Sequence, residues 1–132
     1  MIFHKTPLEG AFVLALEQRT DSRGFFARTF CAREFEDHGL APVVVQGNLS
    51  YNHTKGTLRG LHYQAPPATE AKLVRCTAGA IWDVIVDIRP GSPTYMMHFG
   101  VELSAKNRRA LYVPDMFAHG YLTLTDDAEV SY

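Results

Sequence analysis

Short apolar runs recur along the chain, divided by turn-forming residues. GAFVLALEQ (10–18) reads as a strand, and TDSRGFF (20–26) as a turn into another. CAREFEDHGL (31–40) has helical character and stops at Gly39, a C-terminal cap. APVVVQGNLSYN (41–52) starts β-branched and then turns polar, which predicts a further strand. AKLVRCTAGAIWDVIVDIRPGSPTY (71–95) reads as two strands around Ala78-Gly79, ended by Pro90-Gly91. RALYVPDMFAHGYLTLTDDAEVSY (109–132) holds two or three more. So many short strands with frequent turns predict an all-β sandwich or barrel with one or two short helices.

Two strands carry polar groups where plain alternation would serve. From Ile81 to Ile88, Trp82, Val84, Val86 and Ile88 form one apolar face, while Ile81, Asp83, Ile85 and Asp87 form the other. The carboxylates belong either to a half-polar barrel interior or to an exposed edge. In KGTLRGLHYQ (55–64), Arg59 and His62 have opposite parity and would face opposite ways in an unbroken strand. Gly60 lies between them. A bulge there adds one residue of offset and turns both to the same side, so irregular backbone is expected near Gly60 if both serve one pocket.

At 132 residues the chain is expected to form a single domain, 1–132, with enough length for a true core. Thirteen basic residues balance fourteen acidic ones, for a formal charge of −1. That balance argues against nucleic acid as the main partner and leaves room for a local cationic pocket. Cys31 and Cys76 are far apart and form no CxxC pair, as suits free thiols in a reducing compartment. No apolar run nears the roughly 20 residues that span a bilayer, and no signal-peptide core follows the N-terminus. A soluble cytoplasmic protein is expected.

Several further polar residues sit in strand-like surroundings: Gln46, Asn48, Lys72, Asp83, His119 and Tyr132. Singly, each is explained by an exposed or hydrogen-bonded side chain. Together they offer a base, a cation, amides and a phenol. A metal-binding barrel of the cupin type would show an HxH pair, but here the positions read His62-Tyr63-Gln64. Two histidines without a nearby third ligand make a poor metal shell, so no metal is expected.

VVQGNLSYNHTKGTLRGLHYQAPP (44–67), KLVRCTAGAIWDVIVDIRPGSPTY (72–95) and LYVPDMFAHGYLTLTDDAEVSY (111–132) closely resemble the dTDP-4-dehydrorhamnose 3,5-epimerases. The similarity begins at DSRGFF and covers nearly the whole chain. It implies a cupin-type jelly-roll barrel, a homodimer in which a strand near the N-terminus reaches the partner, no cofactor, and a nucleotide-diphosphate deoxysugar substrate. The implied reaction inverts C3 and C5 of dTDP-4-keto-6-deoxy-glucose. By the match, His62 is the base, Lys72 stabilises the enolate oxygen and Tyr132 returns a proton from the opposite face. Arg23 and Arg59 would hold the diphosphate or sugar, Gln46 and Asn48 the nucleotide sugar, and His119 the sugar.

Two departures from the family pattern alter these expectations. Arg28 stands where the family has an acidic residue that contacts the nucleotide base, so preference for thymidine is open. The resemblance also implies that the chain lacks the family's C-terminal portion, which supplies a carboxylate to orient the catalytic histidine. Asp83 is the candidate substitute, as the group that would orient His62. The alternatives are inversion at one carbon, a 3,4-ketoisomerase on a related nucleotide sugar, an inactive sugar-nucleotide binding domain, and a metal-dependent cupin.

Overall fold

A computed structural model describes all of residues 1–132. Its strands are β1 (Ile2–Lys5), β2 (Phe12–Ala15), β3 (Arg19–Asp21), β4 (Gly24–Phe26), β5 (Leu49–Asn52), β6 (Leu58–His62), β7 (Lys72–Ala78), β8 (Ala80–Asp87), β9 (His98–Ser104), β10 (Ala110–Val113), β11 (Phe117–Thr123) and β12 (Ala128–Ser131); one helix, α1, covers Ala32–Glu36. A six-stranded sheet runs β1-β2-β10-β7-β12-β5, a four-stranded sheet runs β6-β11-β8-β9, and β3 pairs only with β4. All pairings are antiparallel. This is the all-β architecture that the short apolar runs predict.

The main core contains Val74, Cys76, Ile81, Ile85, Leu103, Leu111 and Val130, drawn from both larger sheets. Each such aliphatic side chain contributes roughly 1.5–3 kcal/mol by leaving water. The six-stranded sheet is also covered on its other face near α1. There Phe12, Leu14, Phe35, Leu40, Ala110 and Tyr112 form a second cluster. Strand β10 therefore alternates between the two cores and is buried throughout. The helix ends as its sequence predicts: Gly39 has φ +71°, and its N–H reaches the Glu36 carbonyl at 2.9 Å.

Strand β8 resolves the ambiguity of its two faces. Ile81, Asp83, Ile85 and Asp87 are all fully buried, whereas Trp82 on the apolar face is 44% exposed. The barrel interior is thus the half-polar one. Asp87 is tied by Arg89 Nη2 at 2.7 Å and by the hydroxyls of Ser92 and Thr94, each at 2.6 Å. These bonds pin the loop that leaves β8.

The strand expected over residues 41–52 forms only at Leu49–Asn52. Val43, Val44 and Val45 are exposed, Val45 at 89%. Their β-branched character is overridden because β5 is the outermost strand of its sheet, and no neighbour offers the upstream residues a ladder. They run along the rim of the cavity instead.

Candidate active site

The site is built around the junction of β6 and β11. His119 is opposite His62 and Tyr121 is opposite Arg59, so two steps on β11 match three on β6. That is the one-residue bulge expected at Gly60, and it turns Arg59 and His62 toward the same cavity. Glycine is required there by close approach as well as by its φ of +103°. A Cβ on Gly60 would lie 2.6 Å from the His119 carbonyl oxygen and 2.7 Å from the Gly120 Cα.

The cavity holds about 720 Å³. Arg59, His62 and His119 line it from the four-stranded sheet, while Lys72 and Tyr132 line it from the other side. Gln46 and Asn48 contribute from the segment before β5. Tyr132 is fixed by a reciprocal backbone pair: its N–H donates to the Asn48 carbonyl at 3.1 Å, and the Asn48 N–H donates back at 2.6 Å. Lys72 is largely buried, and its Nζ pairs with Glu70 at 3.1 Å. Eight of the nine residues singled out in the sequence thus lie in or directly behind one pocket, with Asp83 standing behind His119.

Two of the nine stand apart: Arg23 lies outside the cavity of its own chain, and the role expected of Asp83 needs correction. Arg23 does not reach this cavity. It sits in the tight β3–β4 turn, 88% exposed, with its guanidinium on Asp21 at 2.6 and 3.2 Å. Asp83 does not orient His62. Its Oδ1 is 2.8 Å from Nε2 of His119 instead. The cause is strand order: β8 neighbours β11, and β6 lies one strand further on, about 4.8 Å away for each strand crossed.

Burial pushes the Asp83 carboxyl above its ordinary range, and the hydrogen bond with His119 opposes that shift. Its Oδ2 is buried without a partner. His119 is only 6% exposed, so it meets the cavity through a small part of its ring. Nowhere do three or more His, Cys, Asp or Glu side chains gather in a geometry that would hold a metal ion.

The sequence reading missed Glu70, Asn52 and Tyr121. Glu70 is a single acid two residues before Lys72, and its loop brings it back onto the lysine. Asn52 closes the polar end of the 41–52 run, yet it is buried, and its Oδ1 accepts from Arg59 Nε at 2.6 Å. Alternation along β11 places Tyr121 on the same face as His119, a signal that was available.

A cupin-type barrel with a polar, cation-bearing cavity is the class that this fold and site define. A sequence profile described as dTDP-4-dehydrorhamnose 3,5-epimerase matches residues 5–132. The enzyme of that name from Shigella flexneri is 46% identical over 129 residues, which cover 97% of this chain and 71% of that protein. The crystal structure of the Elizabethkingia anophelis enzyme superposes with a TM-score of 0.96 at 41% identity, covering 99% of this chain and 72% of that one. The Legionella pneumophila enzyme, solved in complex with dTDP-4-keto-L-rhamnose, gives 0.89 at 39% identity, covering 98% and 69%. The chain belongs to the dTDP-4-dehydrorhamnose 3,5-epimerase family, a family of isomerases.

Proposed function

We propose that this chain inverts C3 and C5 of dTDP-4-keto-6-deoxy-glucose, giving dTDP-4-keto-L-rhamnose without a cofactor. Both carbons flank the C4 ketone, so a proton lost from either leaves an enolate. His62 takes that proton, as an imidazole suits a base working near neutrality. Lys72 faces the enolate oxygen, where a low dielectric strengthens its effect. Tyr132 delivers a proton to the opposite face of the carbon, which completes the inversion. Arg59 holds the diphosphate, since its planar fork matches phosphate oxygens. Gln46, Asn48 and His119 contact the rest of the nucleotide sugar. The observation that carries this reading is that His62, Lys72, Tyr132 and Arg59 share one cavity.

Two copies of the chain form the working enzyme in this reading. Leu58, Leu122 and Trp82 stand opposite one another on three successive strands, all exposed, and Phe26 is exposed on the hairpin. Such a row is the kind of surface that a partner covers. The β3–β4 hairpin would then carry Arg23 toward the partner's cavity. Sedimentation velocity tests this, and a monomer at working concentration rejects it. Cytoplasmic residence belongs to the same reading and is supported by two unpaired cysteines.

The deciding experiment is solvent deuterium wash-in. Incubation with the keto-sugar nucleotide in D2O, followed by NMR, should erase both the C3 and C5 proton signals. H62A should slow the loss by roughly 10²–10⁴-fold. Loss of one signal alone would make the chain a mono-epimerase. Binding without exchange would make it a binding domain.

A further inference from the structure

Asn52 is a buried amide whose every polar atom is used. It lies on β5 and is 2% exposed. Its Nδ2 donates to the Ala128 carbonyl at 3.0 Å and to the Tyr121 hydroxyl at 3.3 Å. Its Oδ1 accepts from Nε of Arg59 at 2.6 Å. The Tyr121 hydroxyl passes its own proton to Ser50 Oγ at 2.9 Å. The amide cannot flip, because that would set oxygen against the Ala128 carbonyl and N–H groups against the guanidinium.

Fixing Nε fixes the plane of the Arg59 guanidinium. The remaining contact, from Nη2 to the Tyr51 carbonyl, is long at 3.4 Å, so the terminal nitrogens stay available on the cavity side. The character of the anchor matters too. A carboxylate in this position would hold the arginine equally well but would cancel its charge. A neutral amide holds it and leaves the full charge for an incoming anion.

We propose that Asn52 is a positioning residue that pre-orients Arg59 for the diphosphate of the substrate. The inference rests on the epimerase reading, through the role given there to Arg59. It is tested by calorimetric titration of dTDP and of inorganic pyrophosphate into the wild type, R59A, N52A, N52D and S50A, with steady-state kinetics and thermal melts on each. N52A should weaken both ligands on the order of 3- to 10-fold, because the arginine must then be ordered on binding. It should raise KM and leave kcat nearly unchanged. N52D retains the acceptor but adds charge, and should weaken pyrophosphate more than N52A does. S50A, trimmed at the far end of the same network, should lower the melting temperature without moving either affinity.

If N52A melts earlier yet binds both ligands as the wild type does, Asn52 merely ties the sheets and the proposal falls. Wild-type affinity in N52D overturns it equally, and that variant carries the test if N52A does not fold. Weak binding by R59A alongside normal binding by both Asn52 variants rejects the inference alone. Normal binding by R59A rejects the role of Arg59 itself, and the inference with it.

Discussion

Nε2 of His119 lies 2.8 Å from Oδ1 of Asp83, and both side chains are buried on the inner face of the four-stranded sheet. D83A should leave the imidazole without its partner and cost about 1–3 kcal/mol of stability. Because His119 lines the cavity, keto-sugar binding should weaken as well. Denaturant unfolding with parallel binding measurements checks both expectations. A loss of stability with unchanged binding would separate His119 from the substrate.

The bulge at Gly60 predicts a sharper defect. G60A adds a Cβ that meets the β11 backbone, at a residue whose φ is already positive. The backbone conformation alone costs a non-glycine residue on the order of 1–3 kcal/mol, and the clash adds to that. Arg59 and His62 should lose their shared orientation. Deuterium exchange into substrate should therefore fall further in G60A than in any variant of equal stability altered away from the cavity.

Lys72 and Glu70 make a different prediction. Partly exposed ion pairs contribute about 0–1 kcal/mol, so E70Q should melt close to the wild type. It also removes a negative charge from the wall of a cavity proposed to receive a diphosphate. Affinity for dTDP should rise, and most clearly at low salt. Unchanged affinity across a salt series would remove Glu70 from the binding electrostatics.

Asp87 supplies the pH dependence. Desolvation works against its ionised form, but the hydrogen bonds from Arg89, Ser92 and Thr94 together outweigh that and hold the carboxyl well below the usual carboxylate range. A carboxyl lowered in the fold contributes stability that is complete above its unfolded pKa of about 3.9 and is lost as pH falls through the folded value. Acid should therefore destabilise the wild type more steeply than D87N between about pH 5 and pH 2. D87A should cost about 1–3 kcal/mol near neutrality, because the Ser92 and Thr94 hydroxyls and one edge of the Arg89 guanidinium lose their acceptor. Urea titrations at several pH values measure both effects.

What could be read in the chain follows from how local each signal is. The clash of parity between Arg59 and His62 is a property of five residues, so the bulge could be read from the sequence. The partner of Asp83 could not, because it depends on which strand lies beside β8, and alternation says nothing of strand order. Val43–Val45 have the composition of a strand but no neighbour to pair with. HFGVELS, which forms β9, escaped because Gly100 breaks its pattern. That glycine is there because the Trp82 ring covers it, 2.8 Å from where a Cβ would sit.

Trp82 also decides what light can report. It is the chain's only tryptophan, and it stands on the outer surface of β8 rather than inside the barrel. Its emission is therefore an intrinsic probe of the outer sheet face. Filling the cavity should leave the spectrum in place, while covering that face should shift it to the blue, so a single fluorometer trace separates ligand occupancy from self-association without any added dye.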